Sequence, residues 1–244
     1  MSEAVSFADD APSRPPVRGF LHAPAVSSGE ALVLTHGAGG NARAPLLVTV
    51  AQAFAAAGFH VLRCDLPFRQ ARPTGPPSPA GAARDRAGLE AAVHAMRRFG
   101  PGRPVLGGLS YGGRQASMLA AEAPDLAACL LLLSYPLHPP GRPQELRAAH
   151  LPRLRTPAVF VHGTRDPFAT SAELQDAVAL IPAPTALIEI EGAGHDLSRG
   201  RGQARQTHGE IAARALATVR GLVSSREASP PGREWSLPRV PPRP

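Results

Sequence analysis

The sequence predicts a doubly wound α/β fold, and three observations carry the prediction. Short, almost purely apolar runs recur along the chain, amphipathic stretches of helical period fall between them, and Gly, Pro or Asn residues punctuate the joins. Runs this apolar suit strands buried on both faces of a parallel sheet. Alternation of strand and helix then gives right-handed crossovers with helices on both faces, and functional loops gather at the carboxyl ends of the strands.

The strand segments are 31–35 (ALVLT), 59–64 (FHVLRC), 104–109 (PVLGGL), 128–134 (ACLLLLS), 158–162 (AVFVH) and 185–190 (TALIEI), with 17–22 (VRGFLH) as an added edge strand. Helix 45–57 opens with Pro45 at a first helical position and stops before Gly58. Helix 82–98 places Leu89, Val93 and Met96 at helical spacing, and helix 112–122 follows the strand that ends at Ser110. Thr170-Ser-Ala-Glu173 has the form of a capping box opening a helix through 180. Ile211, Leu216, Val219 and Val223 mark a last amphipathic helix. Flanking these, residues 1–16 read as a flexible N-terminal arm and residues 225–244 as a disordered Pro/Arg-rich tail, which leaves 17–224 as one domain.

Composition narrows the function classes. The net charge of +7 rests on 26 basic residues, every one of them Arg, spread along the chain without a block of like charge. Aromatics are only 5%, and no recognition-helix or base-stacking pattern accompanies the arginines, so nucleic acid is not the expected partner. The absence of Lys excludes a Walker A phosphate loop, a pyridoxal Schiff base and a Tyr-x-x-x-Lys dehydrogenase pair. Cys64 and Cys129 lie in separate strand segments and read as reduced core thiols, not as a disulfide or part of a metal site. The acidic, polar start MSEAVSFADD does not resemble a signal peptide, and no apolar run approaches the roughly eighteen residues of a membrane span, so a cytoplasmic protein is expected.

The chemistry concentrates at four predicted strand ends. Gly107-Gly108-Leu109-Ser110-Tyr111-Gly112-Gly113 is a G-x-S-x-G sequence where a buried strand gives way to a helix, the setting of a nucleophile elbow. His195, in Gly192-Ala193-Gly194-His195 after the last strand, is the candidate base among nine histidines; His162 closes a strand and reads as packing or capping. Asp166, one strand earlier, is the preferred orienting acid. Asp196 adjoins the base in sequence and points away from it, Glu191 is nearly as close, and Asp125 reads as structural. The order Ser, acid, His is that of α/β-hydrolases and not of chymotrypsin or subtilisin. His36-Gly37-Ala38-Gly39-Gly40, after the first central strand, supplies the expected oxyanion loop, with the amide of Ala38 paired with that of Tyr111 and His36 as a brace. The same loop followed by Asp65 also fits a dinucleotide-binding G-x-G-x-x-A pattern; the elbow and the two later strand-end residues argue against that alternative.

With these residues assembled, the chain resembles the α/β-hydrolase superfamily over about 17–223. It is most similar to a dienelactone-hydrolase-like branch that includes the testis-expressed and NSL-complex-subunit hydrolase-like domains. The likeness is carried by LTHGAGG, LRCDLPFR, GGLSYGGRQASMLAAE, SYPLHPPGRPQELRAAHL, HGTRDPFAT and GAGHDL. The resemblance implies the same roles for Ser110, Asp166 and His195. Dienelactone hydrolases proper use a cysteine nucleophile where this chain has Ser110, so their substrate does not carry over, and members of the branch also serve as scaffolds.

The expectation is therefore a serine hydrolase acting on an ester or related acyl bond of a small molecule, without metal or organic cofactor. The alternative is a catalytically idle scaffold that binds partners through its tail. Only about twenty residues separate the 128–134 strand from the next, too few for a large cap domain. An open pocket is expected, with Tyr111, Arg69, Arg114 and His138 as wall residues and an anionic acyl substrate favoured by them. A homo-oligomer is compatible with the sequence.

Overall fold

A computed structural model of the chain describes residues 4–200 and 202–227. Eight strands form one sheet: β1 (Val5–Asp9), β2 (Val17–His22), β3 (Ala31–Thr35), β4 (His60–Asp65), β5 (Val105–Leu109), β6 (Cys129–Leu133), β7 (Ala158–Gly163) and β8 (Thr185–Ile190). Their spatial order is β1-β2-β4-β3-β5-β6-β7-β8. β3 to β8 run parallel, while β1 and β2 extend one edge antiparallel. The order reverses at β3, whose neighbours are β4 on one side and β5 on the other, and this is the switch point at which α/β sheets open a crevice.

Among the described residues six α-helices cover the sheet: α1 (Pro45–Ala56), α2 (Pro67–Ala71), α3 (Ala82–Met96), α4 (Tyr111–Glu122), α5 (Ser171–Val178) and α6 (Ala204–Glu227). Because side chains alternate along a strand, each central strand feeds two cores. Leu32, Leu34, Leu131 and Leu133 pack with α1 and α6, while Val33, Leu130, Leu132 and Phe160 pack with α3, α4 and α5. Every residue of β3, β6 and β7 is buried, as their apolar runs require.

The helix ends follow local chemistry. Pro45 stands at the first position of α1, where its missing N–H costs no bond. The chain then reverses through Gly58 at φ 103°, where an added Cβ would also lie 2.9 Å from Ser28 Cβ. At α5 the Thr170 hydroxyl accepts from Glu173 N at 3.2 Å, and Glu173 Oε2 accepts from Thr170 N at 2.8 Å, completing the capping box.

The structure departs from expectation at both ends. The segment read as a flexible arm contains β1, paired along its length with β2. The outer edge of β2 offers unpaired backbone groups, and a single buried side chain, Phe7, anchors the added strand; one apolar residue is too little to give a readable period. Arg98 strengthens the anchor by stacking over the Phe7 ring and pairing with Asp9 at 3.4 Å. At the other end α6 runs through Glu227, three residues into the segment assigned to a tail. Residues 228–244 of that segment lie outside the described residues. Between β6 and β7 the chain forms only a single 3₁₀ turn at Leu151–Arg153, so no large cap covers the carboxyl edge.

Candidate active site

β5 delivers Ser110 to a turn of φ 52° and ψ −115°, and α4 begins at the next residue. A non-glycine residue there is strained, by about 1–3 kcal/mol, and must be held by its surroundings. Ser110 N donates to Leu133 O at 2.8 Å, which hangs the turn on the end of β6; in the same way Ser134 N donates to Val161 O of β7 at 2.8 Å. The flanking glycines are steric necessities. A Cβ on Gly108 would lie 2.7 Å from the Gly112 carbonyl carbon, and one on Gly112 would lie 2.5 Å from His36 O. The elbow therefore needs small residues where the sequence has them.

Over this turn stands His195. Its Nε2 lies 2.8 Å from Ser110 Oγ and its Nδ1 2.8 Å from Asp166 Oδ2. An ionised carboxylate only accepts, so Nδ1 is the donor and Nε2 is left to accept the serine proton. The Asp166 side chain is fully buried, and its other oxygen accepts from Phe168 N at 2.9 Å. The rival acids are occupied elsewhere: Asp196 binds Ser198 N and Oγ at 3.0 and 2.7 Å, and Asp125 pairs with Arg103 on the surface. The loops carrying acid and histidine are joined by Arg165 N, which donates to Ala193 O at 2.9 Å. Gly163 permits that closeness, since a Cβ there would lie 2.4 Å from Ala193 O.

A second serine–histidine contact lies deeper. Ser117 Oγ donates to Arg114 O at 2.9 Å and lies 2.8 Å from His150 Nε2. Ser117 is in the interior of α4 and both side chains are buried, with burial and then Arg114, Arg153 and Arg86 holding the His150 pKa down to about 4. The hydroxyl already donates to a carbonyl, so this pair braces α4 against the 135–150 segment.

The 36–40 loop closes over the elbow from β3. Leu66 N donates to His36 Nε2 at 3.1 Å, which leaves Nδ1 to donate to Gly37 O at 2.8 Å and fixes one neutral tautomer. Burial, the largest influence on this imidazole, lowers its pKa and reinforces that state. A Cβ on Gly37 would lie 3.4 Å from Ser110 Cβ, so the loop backbone passes directly beside the nucleophile candidate. The Ala38 amide donates to no other group among the described residues, and the Tyr111 amide, first in α4, has no intrahelical acceptor. Asp65, the acid of the dinucleotide alternative, instead accepts from Ala42 N at 2.7 Å and closes the loop.

Two of the expected wall residues are placed otherwise. Arg69 is buried, and its guanidinium donates to Gly40 O at 2.8 Å, Ala38 O at 2.9 Å, Gly75 O at 3.1 Å and Arg72 O at 3.3 Å: it clamps the 36–40 loop. His138 is also buried, with Nδ1 donating to Pro139 O at 2.8 Å and Nε2 3.4 Å from Glu173 Oε2, where it ties the post-β6 segment to the cap of α5. A rotamer that turns inward instead of outward is not encoded in spacing. Tyr111 donates its hydroxyl to Asp85 Oδ2 at 2.8 Å; burial and that carboxylate raise its pKa. Arg114 sits one turn into α4, half-buried.

Sequence reasoning missed Phe168, whose ring stacks on the His195 imidazole with centroids 4.0 Å apart and planes at 29°. Its position two residues beyond Asp166 was the available signal. Also missed was Asp85, which accepts from Phe68 N at 3.0 Å as well as from Tyr111 and so joins α2, α3 and α4 under the site.

Solved structures of similar fold span nearly the whole chain. A dienelactone hydrolase from Anabaena variabilis is 18% identical, with a TM-score of 0.68 over 89% of this chain and 98% of its own. A Xanthomonas campestris protein described as an α/β serine hydrolase without lid is 16% identical, with a TM-score of 0.65 over 91% and 95%. Est1E from Butyrivibrio proteoclasticus is 15% identical, with a TM-score of 0.64 over 87% and 99%. The sequence itself matches the family described as "alpha/beta hydrolase domain" over residues 28–223, and the chain belongs to that family.

Proposed function

We propose that the protein is a serine hydrolase that cleaves an ester or related acyl bond of a small molecule through an acyl-enzyme. The observation that carries this reading is the position of the His195 ring, 2.8 Å from both Ser110 Oγ and Asp166 Oδ2. Ser110 attacks the carbonyl carbon while His195 Nε2 takes its proton. Asp166 holds the ring in the Nδ1–H tautomer and stabilises the imidazolium that forms. The amides of Ala38 and Tyr111 receive the charge on the carbonyl oxygen as the carbon becomes tetrahedral. His195 then gives the proton to the leaving alcohol, and water, deprotonated by the same nitrogen, releases the acid. No step calls for a metal or organic cofactor.

The test is labelling by a fluorophosphonate read as intact mass, with Ser110→Ala as control. One adduct per chain on the wild type and none on the variant supports the reading. Folded wild-type protein that takes no label overturns it and puts the scaffold alternative first.

A further inference from the structure

The two proposed oxyanion donors sit on different elements, Ala38 on the loop after β3 and Tyr111 at the start of α4, and one side chain ties those elements together. Asp85 lies in the first turn of α3 and is fully buried. Its Oδ2 accepts from the Tyr111 hydroxyl at 2.8 Å and its Oδ1 from Phe68 N at 3.0 Å. An ionised carboxylate has acceptor sites on both oxygens, so it holds the two donors at once.

The bond from Phe68 fixes α2. Phe68 N is one of the amides that a helix start leaves without an internal partner, and Leu66 at the cap position supplies no side-chain acceptor, so the carboxylate from α3 does that work. Gly88, one turn further along α3, lets the two helices close up, since a Cβ there would lie 2.5 Å from Pro67 Cγ and Cδ. From α2 three bonds then reach the 36–40 loop: Leu66 N to His36 Nε2 at 3.1 Å, Arg69 Nε to Gly40 O at 2.8 Å and Arg69 Nη2 to Ala38 O at 2.9 Å. Ala38 is thus hung from α2, and α2 from Asp85.

The bond from Tyr111 fixes the residue that carries the other amide, the first of α4. The Tyr111 ring meets Phe68 edge-on with centroids 5.8 Å apart, and Phe68 tilts against His36 at 5.5 Å, so a row of rings runs beside the polar links from α4 to the loop.

We propose that Asp85 is a positioning residue that sets the spacing of the two oxyanion donors. It acts through Tyr111 and through Phe68 and Arg69, and the proposal rests on the serine-hydrolase reading. Without the carboxylate each donor is free to move relative to the other, and the developing oxyanion loses a matched pair of amides.

The experiment measures kcat and KM for p-nitrophenyl butanoate and for its thiono analogue, in which sulfur replaces the carbonyl oxygen. Sulfur is a weak acceptor, so amide donors help the thiono ester far less, and the ratio of the two rates reads the donors separately from the triad. In Asp85→Ala the ester should lose about ten-fold or more in kcat with KM moving little, while the thiono ester loses much less, so that the ratio falls. Asp85→Asn should restore the ratio, because its amide oxygen can accept from Phe68 N while its NH2 donates to the Tyr111 oxygen. Tyr111→Phe, which breaks only the hydroxyl bond, should lower the ratio part of the way, and Asp125→Ala on the surface should leave it in place. Equal slowing of both esters in Asp85→Ala overturns the proposal, as does an unchanged ratio or an Asn variant no better than the Ala one; the hydrolase reading survives each of these. If Asp85→Ala does not fold, Tyr111→Phe decides, and a wild-type ratio in that variant overturns the proposal. Folded wild-type protein that neither cleaves the ester nor takes a fluorophosphonate defeats the hydrolase reading itself, and this proposal with it.

Discussion

The ring of Phe168 lies against the imidazole of His195, centroids 4.0 Å apart, while the backbone N of the same residue donates to Asp166 Oδ1 at 2.9 Å. One residue therefore restrains both the acid and the base of the candidate triad. Phe168→Ala keeps the amide and removes the ring. Stacked rings contribute about 0.5–1.5 kcal/mol, so kcat/KM on a p-nitrophenyl ester should fall roughly two- to ten-fold with unchanged fluorophosphonate stoichiometry. Unaltered kcat/KM would show that the ring only fills space.

Asp166→Asn tests the acid more severely. An asparagine can present its amide N–H to Nδ1 and stabilise the tautomer whose Nε2 carries the proton, which cannot accept from serine. By analogy with serine proteases the rate should drop by about 10⁴, with circular dichroism unchanged. Activity near the wild-type level would move the acid elsewhere.

Arg69→Gln addresses the loop that carries one of the proposed oxyanion donors. Loss of the fork that holds Gly40 O and Ala38 O should let the Ala38 amide drift. Removing an oxyanion donor costs about 10²–10³ in kcat, and a displaced one should lose part of that, with KM moving little. Arg69→Lys should not restore the rate, because an ammonium cannot reproduce the fork across several carbonyls. A change confined to KM would return Arg69 to the pocket wall.

Gly112→Ala should be destabilising without touching any reacting group. The new methyl would meet backbone His36 O at 2.5 Å, and β3 and α4 would have to separate. Overpacking of this kind costs about 1–3 kcal/mol, read as a lowered urea midpoint at unchanged slope.

Two buried imidazoles give acid sensitivity a definite sign. Burial, and then Arg63, bring the His22 pKa down to about 4, and His22 Nε2 accepts from Arg63 Nε at 2.9 Å; His150 is lowered to about 4 as well. In the unfolded chain both titrate near their ordinary value of about 6.5. Between those values the unfolded state binds more protons, so stability is full above about pH 6.5, falls as pH drops toward 4, and levels off below. His22→Gln, which keeps an acceptor for Arg63, should flatten the dependence of unfolding free energy on pH across this window. A slope identical to wild type would assign the acid sensitivity to other groups.

The legible parts of the molecule were those governed by period or by tight local sterics. Apolar runs located all six parallel strands, Thr170 and Glu173 announced a capping box, and the glycines around Ser110 marked a strand-to-helix turn. β1 escaped because a strand added at an edge with one buried side chain has no pattern to read. Arg69, Arg114 and His138 all lay in plausible places around the site, yet whether such a chain turns into the protein or out of it depends on which carbonyls or carboxylates the fold brings within reach. Arg69 found four carbonyls, His138 a carbonyl and a carboxylate, and Arg114 neither.

The bonds from Ser110 N to Leu133 O and from Ser134 N to Val161 O make β6 a ruler. It contributes no member of the candidate triad, yet it sets the separation of nucleophile strand and acid strand at two inter-strand spacings, roughly 10 Å in all. The imidazole must bridge that gap from beyond β8, which fixes how far its loop has to fold back. A one-residue insertion in β6 would therefore act like a change in the gauge of a track: every chemical group would remain, and the Ser110–Asp166 span would no longer fit a single ring.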